Sequence, residues 1–166
     1  MKADYKRIAK LVGKINEADK WTYYRIAQSL IHLKKWVEAE KFMEKAVNLN
    51  KNDFEFLYKL SFIKQKLNKM TSFEELLKKV IALNPNYTQA LNDLGFYYFR
   101  SGNSSLAYTF YQRCYNTNPD FLPVLKNLFD YYISSNNKAK AITIANLIIE
   151  KEPENKIIKK FLELKN

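Results

Sequence analysis

A recurring turn constrains this chain more than any other feature. The tetrapeptides Asn50-Lys51-Asn52-Asp53, Asn84-Pro85-Asn86-Tyr87, Asn118-Pro119-Asp120-Phe121 and Glu152-Pro153-Glu154-Asn155 begin 34 residues apart. A fixed period of this length marks a stack of small supersecondary units, each too small to bury its apolar face alone. Proline lacks an amide hydrogen and cannot continue a helix. Pro85, Pro119 and Pro153, three of the chain's four prolines, therefore each end the helix that precedes them.

Cutting at these turns gives units over 20–53, 54–87, 88–121 and 122–155, and each holds two amphipathic patterns. In the first halves Tyr23, Ile26, Ala27 and Leu30 align with Leu57, Leu60, Ser61 and Lys64, with Leu91, Leu94, Gly95 and Tyr98, and with Leu125, Leu128, Phe129 and Tyr132. Spacings of three, four and seven make one face of a helix. In the second halves Ala39, Met43 and Ala46 align with Phe73, Leu77 and Val80, with Ala107, Tyr111 and Cys114, and with Ala141, Ala145 and Ile148. Between the halves stand Lys34, Asn68, Gly102 and Asn136. Glycine and asparagine are the residues best suited to a left-handed turn at a helix end. Ser72 with Glu75 reads as a capping box, and Asp120 or Asn118 as the cap of the helix holding Leu122 to Ile133. Each unit is thus a helix, a tight turn and a second helix.

The third unit carries a known pattern most fully. Its Leu91, Leu94-Gly95, Tyr98, Ala107, Tyr111, Cys114 and Pro119 resemble, in order and spacing, the signature of the tetratricopeptide repeat family. The resemblance runs over 20–155. It is weakest in the second unit, where Ser61, Lys64 and Phe73 replace the usual small residue, tyrosine and alanine, and Phe129 stands where a glycine is usual. It implies an all-α fold, an αα superhelix of helical hairpins, forming a single domain over 1–166. Residues 1–19 would add an N-terminal partial repeat, with Tyr5, Ala9 and Val12 in second-helix phase, and 156–166 a C-terminal capping helix.

The resemblance also implies a function. In that family protein or peptide ligands lie on the inner surface made by the first helices. The matching positions here include Tyr24, Gln28, Tyr58, Lys59, Phe62, Asn92, Phe96, Phe99, Arg100, Lys126 and Asn127. Tyr24 and Tyr58 share a phase, as do Phe62 and Phe96, so an aromatic groove is one expectation and packing between neighbouring helices the other. Some family members clamp a C-terminal carboxylate with lysine, asparagine and arginine on three successive first helices. The possible windows here hold Tyr24, Gln28, Lys59, Gln89 and Asp93, or Tyr58, Phe62, Asp93, Pro123 and Asn127, and neither supplies that clamp.

Charge narrows the partner class. The net charge is +11, yet the units 88–121 and 122–155 are each neutral, while 20–53, 54–87 and 156–166 each carry +3. Such a field favours encounter with an acidic partner. Nucleic acid is the competing reading, since basic residues and exposed rings can track phosphates and stack bases. Only four of the 28 basic residues are arginine and the most aromatic unit is neutral, which counts against it. Self-association through the aromatic unit or the N-terminal half-repeat is the third reading.

Catalysis requires a nucleophile, a base and oxyanion donors held together. The one cysteine, Cys114, falls in a second-helix core phase, and the one histidine, His32, near the end of a first helix more than two repeats away. One histidine and one cysteine exclude the common zinc patterns, and three glycines do not make a phosphate loop. The expectation is a non-enzymatic scaffold with no cofactor and no metal. No run approaches the roughly 20 apolar residues of a membrane-spanning helix, and the lone cysteine rules out an internal disulfide. A cytoplasmic protein is expected.

Overall fold

The computed structural model describes residues 19–164. The expected N-terminal partial repeat over 1–18, and residues 165–166 of the expected cap, lie outside the described residues. Among those described there are helices and turns and no strand: α1 (Lys20–His32), α2 (Trp36–Leu49), α3 (Phe54–Lys66), α4 (Met70–Leu83), α5 (Thr88–Arg100), α6 (Ser104–Thr117), α7 (Leu122–Ser134), α8 (Lys138–Lys151) and α9 (Lys156–Glu163). No described helix is long and apolar enough to cross a membrane. The chain divides after Pro85 into two compact units, one holding α1 to α4 and the other α5 to α9.

Each hairpin turns through one geometry. Lys34, Asn68, Gly102 and Asn136 have φ of 58°, 57°, 82° and 55°. The next residue's amide then reaches back to the carbonyl five residues earlier: Lys35 to Leu30, Lys69 to Lys64, Asn103 to Tyr98 and Asn137 to Tyr132, each at 2.9 Å. This is the Schellman arrangement, which satisfies carbonyls a helix end leaves free. Lys34 adopts it despite its Cβ.

The helix starts are less uniform. Asp19 caps α1 through the amides of Trp21 and Thr22, and Asp53 caps α3 through those of Glu55 and Phe56. Asn103, Asn137 and Asn155 cap α6, α8 and α9. Two expectations need correction. The α4 helix begins at Met70, so Ser72 lies within it and forms no capping box. The α7 helix starts after Phe121 with no side-chain cap, and Asn118 instead accepts from the amide of Asp120 within the turn. Pro123 in its first turn needs no amide partner, and presets the backbone angle there.

The aligned apolar positions are the core. Leu30, Met43, Leu77, Leu91, Leu94, Tyr111, Leu125, Leu128 and Ile148 are fully buried. Within each hairpin, the eighth and twenty-fourth positions trade volume. They hold Ala27 with Met43, Ser61 with Leu77, Gly95 with Tyr111, and Phe129 with Ala145. Phe129 thus replaces the usual glycine where the facing position has shrunk to alanine, and the α7 and α8 helices still pack as a hairpin. The buried serines are satisfied locally, Ser29 Oγ donating to Arg25 O at 2.8 Å and Ser61 Oγ to Tyr58 O at 2.7 Å.

Lys64, another departure from the family pattern, is also accounted for. Its ammonium donates to Glu40 at 2.7 Å and to Glu44 at 2.6 Å, and Lys69 donates to both oxygens of Glu40 at 2.7 and 2.8 Å. Glu40 is buried. Burial alone would raise its carboxyl, but the hydrogen bonds from Lys64 and Lys69 outweigh this and hold it below the usual carboxylate value. The second hairpin thus joins the first by buried ions where the other units use a tyrosine or leucine.

Candidate functional site

The candidate residues lie on the first helices, at positions five, six, nine, twelve and thirteen of their units. In the first compact unit, α1 and α3 enclose a pocket of about 310 Å³ lined by Gln28, Ile31, His32, Tyr58, Lys59 and Phe62. Four of the sequence-derived residues, Gln28, Tyr58, Lys59 and Phe62, are therefore brought together. Tyr24 lies one turn before Gln28, and Gln28 Nε2 donates to its hydroxyl at 2.8 Å. Burial, with Glu55 and Asp53 nearby, raises the Tyr24 phenol, which keeps it protonated.

The aromatic rings here are partly packed and partly open. Tyr24 stacks on Phe56 with centroids 4.7 Å apart, and Trp21 meets Phe56 edge-on at 5.2 Å. Trp36 approaches the Phe62 ring edge-on at 5.9 Å, and Lys66 lies 5.1 Å above the same ring. Phe62 is thereby held in one orientation at the pocket wall. Lys59 makes no ion pair with any described residue. The pocket therefore has an apolar wall, amide and phenol groups, and an ammonium free to meet a negative charge.

The second compact unit places its candidates differently. Phe96 is open to solvent at 42% exposure, whereas Phe99 packs against Tyr131 with centroids 6.2 Å apart. Asn92 is buried and accepts from Asn127 Nδ2 at 2.8 Å, so it orients Asn127 instead of presenting itself. Lys126 is held by Glu152 at 2.8 Å, and Arg100 is exposed in the last turn of α5. A wide hollow of about 710 Å³ lies on α6 and reaches Asn86 in the turn before α5, lined mainly by polar residues such as Gln112, Arg113 and Asn116.

One pocket residue, Ile31, lies outside the sequence-derived positions. Ile31 sits at the phase of Phe99, so applying that phase to every unit would have found it. Trp36 opens α2, outside the repeat positions compared, and its role on Phe62 depends on the hairpin closing.

The chain's one cysteine lies in the other compact unit. Cys114 is buried and donates to Thr88 O at 3.3 Å. Burial, then the charge of Asp93, pushes its thiol up to about 12, so it stays protonated at neutral pH. Among the described residues, no three His, Cys, Asp or Glu side chains gather to hold a metal ion.

Comparison with known proteins agrees with this architecture. The tetratricopeptide repeat family model matches residues 22–53 and 54–87. The second match is the unit that departs furthest from the signature. No curated protein matches the chain in sequence. Among solved structures, MamA superposes with a TM-score of 0.75 at 20% identity, covering 92% of this chain and 87% of that one. YrrB, described as a TPR protein with an unusual peptide-binding site, gives a TM-score of 0.72 at 19% identity over 98% of this chain and 81% of its own. A thermophilic TPR protein of Thermus thermophilus gives 0.73 at 16% identity, covering 98% and 87%. Residues 22–53 and 54–87 thus match the tetratricopeptide repeat family in sequence, and the described chain shares its helical-hairpin fold with solved tetratricopeptide repeat structures.

Proposed function

We propose that the chain is a non-enzymatic scaffold that binds an extended, acidic protein or peptide segment on the face of its first helices. The observation that carries this reading is the pocket between α1 and α3, where Phe62 and Ile31 offer apolar contact beside the unpaired ammonium of Lys59. Buried aromatic contact supplies most interface energy, and a neighbouring charge sets orientation and partner choice. The repeats 20–53 and 54–87 carry +3 each, which favours an acidic segment. The fold is shared with YrrB, itself described as having a peptide-binding site. In the second unit Phe96, Arg100 and Asn127, the last oriented by Asn92, offer the same kind of surface, with Phe99 and Lys126 supporting it. Neither cofactor nor metal is required.

Selection of a randomised peptide library on the immobilised chain tests this. The expected products are rich in Asp or Glu beside an aromatic or aliphatic residue, and their binding falls at least about tenfold with Phe62→Ala or Lys59→Glu. Undiminished binding to folded variants would reject the pocket. Titration with single-stranded nucleic acid separates the competing reading, because phosphate binding weakens steeply with salt through counterion release. Light scattering of the chain alone reports self-association.

A further inference from the structure

The second compact unit holds a pocket of different chemistry. It measures about 250 Å³ and lies where α7, α8 and α9 meet, with Phe129, Ile148, Ile157 and Ile158 as its apolar lining and Lys126, Asp130 and Asn155 at its polar edge. Ile158 and Ile148 are buried, but Ile157 is 77% exposed, and Leu164, just past the end of α9, is 79% exposed. Isolated exposed aliphatics are common on protein surfaces. One that continues an open apolar pocket, as Ile157 does, extends it into a patch.

The charges around this patch are not balanced. Lys126 donates to Glu152 Oε1 at 2.8 Å, and Asn155 donates to the other oxygen of Glu152 at 2.9 Å, so these three satisfy one another. Asp130 forms no hydrogen bond or ion pair with any described residue. Partial burial raises its carboxyl, and an arriving cation would offset that cost. On α9, the positions that in earlier units face the second helix of their own hairpin hold Lys159, Leu162 and Glu163; the two charged residues are exposed and Leu162 is half-buried. Ile157 is the exposed aliphatic residue on the pocket side.

We propose that this pocket is a second docking site, which takes a peptide segment bearing a bulky aliphatic residue next to lysine or arginine. The aliphatic side chain enters between Phe129 and Ile157, and its cationic neighbour pairs with Asp130. The preference is opposite in sign to that of the Lys59 pocket, and it stands whether or not that pocket binds an acidic segment.

The test is display selection of randomised octapeptides on the full chain, followed by affinity measurement of the enriched clones. Asp130→Asn and Ile157→Ser alter exposed positions, and circular dichroism checks that each remains folded. Clones pairing Leu, Ile or Phe with Lys or Arg are expected to lose about fivefold in affinity with each variant, the effect of removing one charge pair or one apolar contact. The same clones should bind Phe62→Ala as tightly as the wild type, which separates this pocket from the one between α1 and α3. The proposal is overturned if no enriched clone depends on Asp130, if dependent clones carry no basic residue, or if the chain sediments as a dimer that Ile157→Ser dissociates. In the last case a second copy covers the patch.

Discussion

A Cβ added to Gly95 would stand 2.6 Å from Cδ1 and 2.7 Å from Cε1 of the Tyr111 ring. Real Cβ atoms do not approach so closely, and Tyr111 is fully buried with no room to retreat. Gly95→Ala therefore overpacks the hairpin of α5 and α6. It is expected to destabilise by about 1–2 kcal/mol, the cost of overpacking less what alanine gains in helix propensity. The second unit's solution to the same contact is Ser61 opposite Leu77. Gly95→Ser combined with Tyr111→Leu should show a favourable coupling in a denaturant double-mutant cycle, and strict additivity would mean the two positions do not share the space.

The Tyr111 hydroxyl is buried with no hydrogen-bond partner among the described residues. Burial, with Asp130 nearby, pushes the phenol well above its usual value, so it never ionises in the folded state at ordinary pH. An unsatisfied buried donor costs about 1–3 kcal/mol. Tyr111→Phe should thus leave the thermal midpoint unchanged or raise it, and a clear fall would show that the hydroxyl has a partner.

Glu40 is the hub of the charged network in the first unit, and its removal leaves Lys64 and Lys69 short of a partner. Glu40→Ala is expected to cost about 2–4 kcal/mol, because a half-broken buried pair is worse than none. Replacing Glu40 with Ala and Lys64 with Leu together should recover part of that loss.

The pH dependence follows from the direction of each shift. The folded Glu40 carboxyl lies below its ordinary 4.5, so its contribution is complete above that value and fades as pH falls towards the folded one. Lys64 is shifted up from 10.5. Burial alone would lower it, but Glu40 and Glu44 more than compensate, so its share is complete below 10.5 and fades as pH rises beyond. The stability gap between wild type and Glu40→Gln should therefore narrow below pH 4.5 in urea unfolding, and a gap that widens in acid would contradict this assignment.

Lys34 occupies a left-handed conformation at φ 58°, a place glycine takes without steric cost. Lys34→Gly should stabilise by about 0.5–1 kcal/mol, and Gly102→Ala at φ 82° should destabilise by about 1 kcal/mol. Thermal midpoints moving in opposite directions for these two substitutions would be the expected sign.

Cys114 is buried, with its thiol pushed up to about 12 first by burial. Iodoacetamide at neutral pH should leave the native chain unlabelled for as long as it stays folded, and labelling should track the unfolding transition. Rapid labelling under native conditions would show that α6 opens locally.

Local and long-range information part company in this fold. The turn at every hairpin and the apolar stripe of every helix were legible in the chain, because each depends on residues within a few positions of one another. What a side chain meets across a hairpin was not. Asn92 reads as a surface residue by its phase, yet it is buried beneath Asn127, a partner 35 positions away. Phe99 and Phe96 look alike in sequence, but only Phe99 finds Tyr131. Lys64 breaks the repeat pattern until Glu40, on the other hairpin, supplies its countercharge. Ser72 resembles a cap, but the Schellman turn at Asn68 starts α4 earlier. The sequence by itself determined the period, the helices and the inward faces, since helix geometry makes these local. Only the tertiary structure decided which rings are open, which volumes compensate and which charges are free, because those depend on side chains that meet only when hairpins close against each other.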